Sequence, residues 1–294
     1  MSTNENMTIL VTGATGTVGS EVVGALRARG LRVRAGVRSP EKAEALRALG
    51  AELVKLDFSD PSTLGSAFEG VDRVFLLTAF VEDDVEQVQA AVSAAKAAGV
   101  EHVVRSSSVG ASPDSPLALG RKHAACEEVV KTSGIDWTIL QPTFFQDNIL
   151  NFAGETIASQ GQWVGASAGG KTSYISSRDI AELAAEVLLD PGSHRDQTYV
   201  LTGPSAHSDA EIAGLLSELL GREIRYIDIG AEALAEGLRS GGFPQWRIDA
   251  LVGLEGVKAA GYAEEVSPVV ERILGRSGES LSAFLARNRD RLQA

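Results

Sequence analysis

The sequence predicts an α/β fold built on a doubly wound parallel sheet, followed by a smaller, mostly helical domain. Three observations carry that expectation. Short apolar segments alternate with helical patterns through the first half of the 294 residues, as βαβ units require. The first apolar segment runs straight into three glycines at spacing three, Gly13, Gly16 and Gly19. The 44% hydrophobic and 22% charged fractions are those of a globular chain with a sizeable core.

The elements follow in order. Residues 8–12 form the first strand, with Ile9 to Val11 as its apolar run, and Val22, Val23 and Leu26 give the next helix its buried face. Further strands are expected at 31–37, 52–56, 73–78, 102–106 and 136–140. Helices lie between them, such as 85–98 with Val85, Val88 and Val92 on one side. Right-handed crossovers wind such a chain onto both faces of one sheet. The second half is less regular. It offers an amphipathic helix at 177–189, a strand at 198–201, and a helix opened by the capping box Ser208–Glu211 and carrying Ile212, Leu215, Leu216 and Leu219. A strand at 223–229 and helical, glycine-broken segments complete it, and the Gly/Ser-rich stretch 165–170 reads as a loop. A break near residue 150 divides a sheet domain, 1–150, from a second domain, 151–294, with the chain returning to the sheet near 198–203.

A net charge of −12 argues against a general nucleic-acid or anionic-membrane surface. The single cysteine, Cys126, excludes an intrachain disulfide and points to a reducing compartment, the cytoplasm. Residues 1–6 are polar and the apolar run after them is too short for a signal peptide or a spanning helix. The four histidines, His102, His123, His194 and His207, have no metal-ligand spacing, and no Gly-x-Ser-x-Gly elbow marks a serine hydrolase.

Strand, glycine turn and helix start together make a phosphate cradle. The backbone from Gly13 through Thr15, Gly16, Thr17, Val18 and Gly19 can approach a pyrophosphate, and the helix N-terminus turns free N–H groups toward it. A carboxylate about 20 residues further on would mark NAD by binding the ribose 2′-hydroxyl. Here Arg38 stands nineteen residues after Gly19, and no Asp or Glu lies between Gly30 and Pro40. A guanidinium suits a 2′-phosphate, so the pattern favours NADP(H); the alternative is an arginine that merely ends a strand in solvent. Arg34 reads as a solvated strand residue. Asp57 and Phe58 end the third strand beside the expected adenine, with Asp60 better placed to cap the turn before Pro61. The fourth strand ends at Thr78, Ala79 and Phe80, where backbone would pass the ribose.

With those residues in hand, the chain resembles the NmrA-like family of atypical short-chain dehydrogenase/reductases. The resemblance rests on TGATGTVG, VRAGVRSPEKA, LDFSD, AAKAAGVEHVVRSSSVGA, HAACEEVVKTSGIDWTILQPTFFQDN, KTSYISSRDIAELAAEVL and TYVLTGP, and spans most of residues 7–220. It implies a Rossmann-type domain, NADP(H) and a C-terminal domain forming a substrate cleft for a small molecule. The family is similar in fold but varied in activity. It includes quinone, azo-dye and phenolic-ether reductases, relatives of ergot-alkaloid dehydrogenases, and regulators that sense the cofactor through a protein partner. The resemblance therefore leaves two alternatives, an NADPH-dependent reductase of a carbonyl, quinone, imine or activated double bond, and a non-catalytic redox sensor.

The tyrosine of the usual short-chain dehydrogenase site is missing. The four tyrosines are Tyr174, Tyr199, Tyr226 and Tyr262, so the helix after Ser106–Ser108 carries no Tyr-x-x-x-Lys. His123 takes its place, as a histidine does in the quinone-reductase branch of the resembled family and a lysine in the phenolic-ether branch. Glu127, one turn on, could orient the imidazole and favour its charged form. His123 is thus the candidate proton donor or ribose contact, and the alternative is a half-buried histidine paired with Glu127. Lys122 faces elsewhere. Ser106 and Ser107 are candidates for the nicotinamide end of the cofactor and Ser108 for substrate, or else the three simply form a turn. Pro142, Thr143 and Phe144 would meet the carboxamide, with Phe145 and Asn148 toward substrate, and Trp163 and Trp246 as further apolar wall. Gln141 stands where the resembled chains commonly have Arg.

Overall fold

The computed structural model describes residues 7–79 and 81–293. Residues 1–6 and Phe80, read above as a polar lead-in and as backbone passing the ribose, lie outside the described residues. In chain order the elements are β1 Thr8–Val11, α1 Thr17–Ala28, β2 Arg32–Val37, α2 Glu44–Ala48, β3 Glu52–Lys55, α3 Leu64–Phe68, β4 Arg73–Leu76, α4 Asp84–Ala98 and β5 His102–Ser106. There follow α5 Ala118–Lys131, β6 Asp136–Pro142, α6 Gly154–Gln160, β7 Gln162–Gly165, β8 Lys171–Thr172, α7 Ser177–Leu189 and β9 Gln197–Leu201. The last stretch holds β10 His207–Ser208, α8 Asp209–Leu220, β11 Arg225–Asp228, α9 Gly230–Ser240, α10 Gln245–Ala259, α11 Val269–Leu274 and α12 Leu281–Arg287.

The chain forms two compact units, Met1–Pro142 with Ser177–Leu201, and Thr143–Ser176 with Thr202–Ala294. The first is a seven-stranded sheet in the order β3-β2-β1-β4-β5-β6-β9, every neighbour parallel. Ile9, Leu10 and Val11 are all fully buried, as a strand covered on both faces demands. Leu10, Val74, Leu76, Val103 and Ile139 point to one face, where Leu64 and Phe68 of α3, Val88 and Val92 of α4, and Cys126 and Val130 of α5 meet them. Alternation sends Ile9, Val11, Phe75 and Val104 to the other. α1 and α7 pack against each other and bury Val22, Val23 and Leu26 on one side, Ile180, Leu183 and Val187 on the other. Here α7 and β9 both belong to the sheet unit, and the division falls at 142 rather than near 150. The apolar stripe of α7 finds its partner in α1, which a one-dimensional break in composition does not reveal.

The second unit has its own core, in which Ile149, Ile157, Tyr174, Ile212, Leu216, Phe284 and Leu285 pack together. Two small sheets accompany it, β8 antiparallel to β10 and β7 parallel to β11. The capping box at α8 is formed in both directions: the Glu211 N–H donates to Ser208 Oγ (3.2 Å) and the Ser208 N–H to Glu211 Oε2 (2.8 Å). No helix among the described residues is long and apolar enough to cross a membrane.

Candidate functional site

The site begins where β1 stops. The Thr12 hydroxyl donates to the Leu77 carbonyl and accepts from the Leu77 N–H, both at 2.8 Å, which ties the end of β1 to the end of β4. The chain then turns at Gly13, whose φ of 60° suits a residue without a side chain. The Gly16 N–H donates to the Gly13 carbonyl at 2.9 Å. That same carbonyl lies 2.2 Å from where a Cβ on Gly19 would sit, so the loop closes this tightly on α1 only because Gly19 has none. Thr15, Gly16 and Thr17 are exposed, while Val18 and Gly19 are buried. No side chain caps α1 and no acidic residue sits in its first turn. Its first N–H groups are therefore left to an outside acceptor, which is the arrangement a dinucleotide pyrophosphate fits.

Around this cradle stand the other sheet-end residues. Arg38 follows the last residue of β2, exposed and with no hydrogen bond or ion pair among the described residues. Arg34, expected in solvent, is instead committed: its guanidinium donates to the carbonyls of Ala67 (3.3 Å) and Glu69 (2.6 Å) and pairs with Glu52 (3.1 Å). Its long stem lets it cross to the end of α3. Asp57 accepts from the Ser59 N–H, Phe58 packs against the core, and Asp60 caps the turn at Pro61 by accepting from the Ser62 N–H. Ala79 is exposed. The buried Thr78 hydroxyl has no hydrogen-bond partner among the described residues, and it sits at the strand end where a ribose is expected.

Beyond β5 the loop is pinned to β6. Ser106 is the last residue of β5, the Ser107 N–H donates to the Leu140 carbonyl (2.7 Å) and the Val109 N–H to the Pro142 carbonyl (3.0 Å). The Ser107 hydroxyl donates to Glu127 Oε1 at 2.6 Å, and Gln141 Nε2 donates to the same oxygen at 2.7 Å. Lys131 holds the other carboxylate oxygen at 2.9 Å. Ser108 is half-buried and donates to the Val109 carbonyl.

His123 stands outside that network. Glu127 is spent on Ser107, Gln141 and Lys131, and His123 Nδ1 is buried with no hydrogen-bond partner among the described residues. Burial, reinforced by the Arg105 guanidinium, pushes the imidazole down to about 4. It is neutral at physiological pH, not the partly protonated acid that a free histidine would be. Arg105 was not singled out in the sequence, although a cation inside an apolar strand is a usable signal. It is 1% exposed and pairs with Asp84 at 3.5 Å. Lys122 is turned away and donates to the Val81 carbonyl. Cys126 is buried near Asp84, and desolvation raises its thiol to about 11, which leaves it unreactive.

In the second unit, Thr143 is buried and its hydroxyl has no partner among the described residues, and Phe145 bridges to Ile175. Phe144 and Asn148 line a cavity of ≈ 450 Å³ together with Trp163, Tyr174 and Tyr226. Trp246 is not among its walls. Lys258 and Glu255 of α10 and Asp209 of α8 close one side. Their i, i+3 spacing on α10 was the available sequence sign.

Known proteins resemble this chain along most of its length. The chain is 40% identical over 276 residues to the NAD(P)H azoreductase of Xenophilus azovorans, covering 94% of this chain and 96% of that protein. It superposes on the NADPH-dependent quinone oxidoreductase of Escherichia coli in complex with NADPH with a TM-score of 0.85, at 29% identity and 95% and 99% coverage. The triphenylmethane reductase of Citrobacter sp., complexed with NADP(H), gives 0.83 at 26% identity and 95% and 100% coverage. Residues 5–281 match the NmrA-like family, and this chain belongs to it.

Proposed function

We propose that this protein is an NADPH-dependent reductase of quinones, azo compounds or similar small organic acceptors. The observation that carries the proposal is the glycine cradle with Arg38 standing uncommitted at the end of β2, in a chain whose relatives use NADPH or NADP(H). Bound NADPH supplies a hydride, and the acceptor takes up a proton with it. The chain's own residues bind and orient. The first turn of α1 takes the pyrophosphate, Arg38 the 2′-phosphate, Thr78 a ribose hydroxyl, and Pro142, Thr143 and Phe144 the carboxamide end. Ser107, fixed by Glu127, holds the loop that Ser106 and Ser108 share. Neutral His123 serves as a hydrogen-bonding group for ribose or substrate oxygen, and the proton comes from solvent. A single cysteine, Cys126, with no disulfide partner in the chain, supports a reducing compartment, the cytoplasm, as its setting.

The test is NADPH oxidation by the purified protein with quinones, azo compounds and aldehydes in turn. Turnover is expected, and Arg38→Ala should raise the NADPH KM about tenfold or more while leaving that for NADH nearly unchanged, since a charge-assisted fork is lost. Tight NADPH binding with no turnover on any class would replace this proposal with the sensor function. Equal loss for both cofactors would take Arg38 out of phosphate recognition.

A further inference from the structure

The cavity of the second unit has a composition that selects by charge. Its volume, ≈ 450 Å³, is that of a small-ligand site. Phe144 and Tyr174 meet edge to face with centroids 6.1 Å apart, and Trp163 tilts over Tyr226 at 5.4 Å. Leu251 and Leu254 continue the apolar wall. Such walls favour flat aromatic molecules, which offset-stack or meet edge to face with the rings.

The polar side is a closed network. Lys258, 8% exposed, donates to Glu255 Oε1 at 2.7 Å and faces Asp209 Oδ2 at 3.8 Å. Its ammonium also lies 5.3 Å from the Phe144 ring and 5.8 Å from that of Tyr174. Glu255 Oε2 accepts from the Ala166 N–H, and the Tyr226 hydroxyl accepts from the Ser167 N–H. Gly165 makes this closeness possible, because a Cβ there would come within 2.6 Å of the Tyr226 oxygen. Burial opposes the charge on Lys258, but Tyr174, Asp209 and Glu255 outweigh it and hold the ammonium protonated. Burial likewise raises Asp209. The charged lining residues are one cation and two carboxylic acids, so the net charge is −1 with both acids ionised and zero with Asp209 protonated. While Glu255 is ionised it does not rise above zero. An anion entering would lose its hydration and find the only ammonium already paired.

We propose that this cavity receives a flat aromatic substrate that is uncharged or cationic and turns away sulfonated and carboxylated ones. The proposal rests on the reductase function for the word substrate, but not for the binding itself. Equilibrium dialysis of the whole protein without NADPH tests it, using 2-(hydroxymethyl)-9,10-anthraquinone and 9,10-anthraquinone-2-sulfonate, which share their rings and differ in charge. The neutral probe should bind at least about tenfold more tightly, or 1.4 kcal/mol. Glu255→Gln removes one negative charge and should shift the affinity ratio about tenfold toward the sulfonate. Lys258→Met should shift it the opposite way, so one variant that fails to fold leaves the other to decide. Equal binding of the two probes, tighter binding of the sulfonate, no binding of the neutral probe, or a ratio that neither folded variant moves would overturn the proposal. Because no NADPH is present, those failures leave the reductase function standing. Binding as expected without any NADPH oxidation would remove the reductase function alone.

Discussion

At the scale of single residues, His123 shows how much an environment can change a role. Its place on α5 suggests an acid, but burial and the nearby Arg105 keep it neutral down to about pH 4. A neutral imidazole still offers one donor and one acceptor, and its buried Nδ1 has no partner among the described residues. Replacing it by Ala should lower kcat about 10- to 100-fold, the value of one directed hydrogen bond to a developing charge, with NADPH affinity near wild type. The pH profile of kcat/KM should show no inflection near 6.5, because the free-enzyme histidine titrates near 4. An inflection near 6.5 that disappears in His123→Ala would mean that the imidazole is charged when it works. The type and position of His123 were legible in the sequence. Its protonation was not, because Arg105 acts on it from β5 and Glu127 is claimed by Gln141, fourteen residues further on.

At the scale of elements, the cradle and the α5 network make separable demands. Gly19→Ala would drive a Cβ to within 2.2 Å of the Gly13 carbonyl, opening the turn. NADPH binding should fall by two orders of magnitude or so, a few kcal/mol, while far-UV circular dichroism stays near wild type. Loss of all helical signal would instead make the turn a requirement for folding. Glu127→Ala strands a buried Ser107 hydroxyl and the Gln141 amide. A cost of about 2–4 kcal/mol is expected in urea unfolding at unchanged m-value, and a loss below about 0.5 kcal/mol would show that water replaces the carboxylate. The glycine turn was readable because spacing alone specifies it. The Glu127 network was not, since its members come from the loop after β5, from α5 and from β6 and share no sequence interval. The same contrast separates the strands from the domain division: apolar runs announced β1 to β6, but only tertiary packing shows α7 to be the partner of α1.

At the scale of the whole molecule, buried histidines tie stability to pH. His102, 2% exposed and hydrogen-bonded to the Thr138 hydroxyl at 2.9 Å, is pushed down to about 4 by burial. In the unfolded chain it titrates near 6.5. Between those values the unfolded state binds a proton that the folded state does not, so stability falls as pH drops through this window and levels off below it. The slope is about 1.4 kcal/mol per pH unit for each such residue. His102→Gln should flatten the decline between pH 6.5 and 4 in urea titrations, and an unchanged slope would mean that the native histidine takes up the proton.

The return of the chain to its first sheet has a consequence for biosynthesis. The sheet unit ends at Pro142 but needs Ser177–Leu201 to be whole. As the chain leaves the ribosome, α1 waits without its partner α7 and β6 with an open edge, until more than thirty further residues have emerged. Those residues, Thr143–Ser176, are themselves only part of the second unit and cannot complete it before Thr202 onward appears. Neither half can therefore fold and wait for the other, as tandem domains do. The nascent polypeptide carries an open strand edge from the completion of β6 until β9 emerges, and chaperone demand should be greatest just before α7 is made.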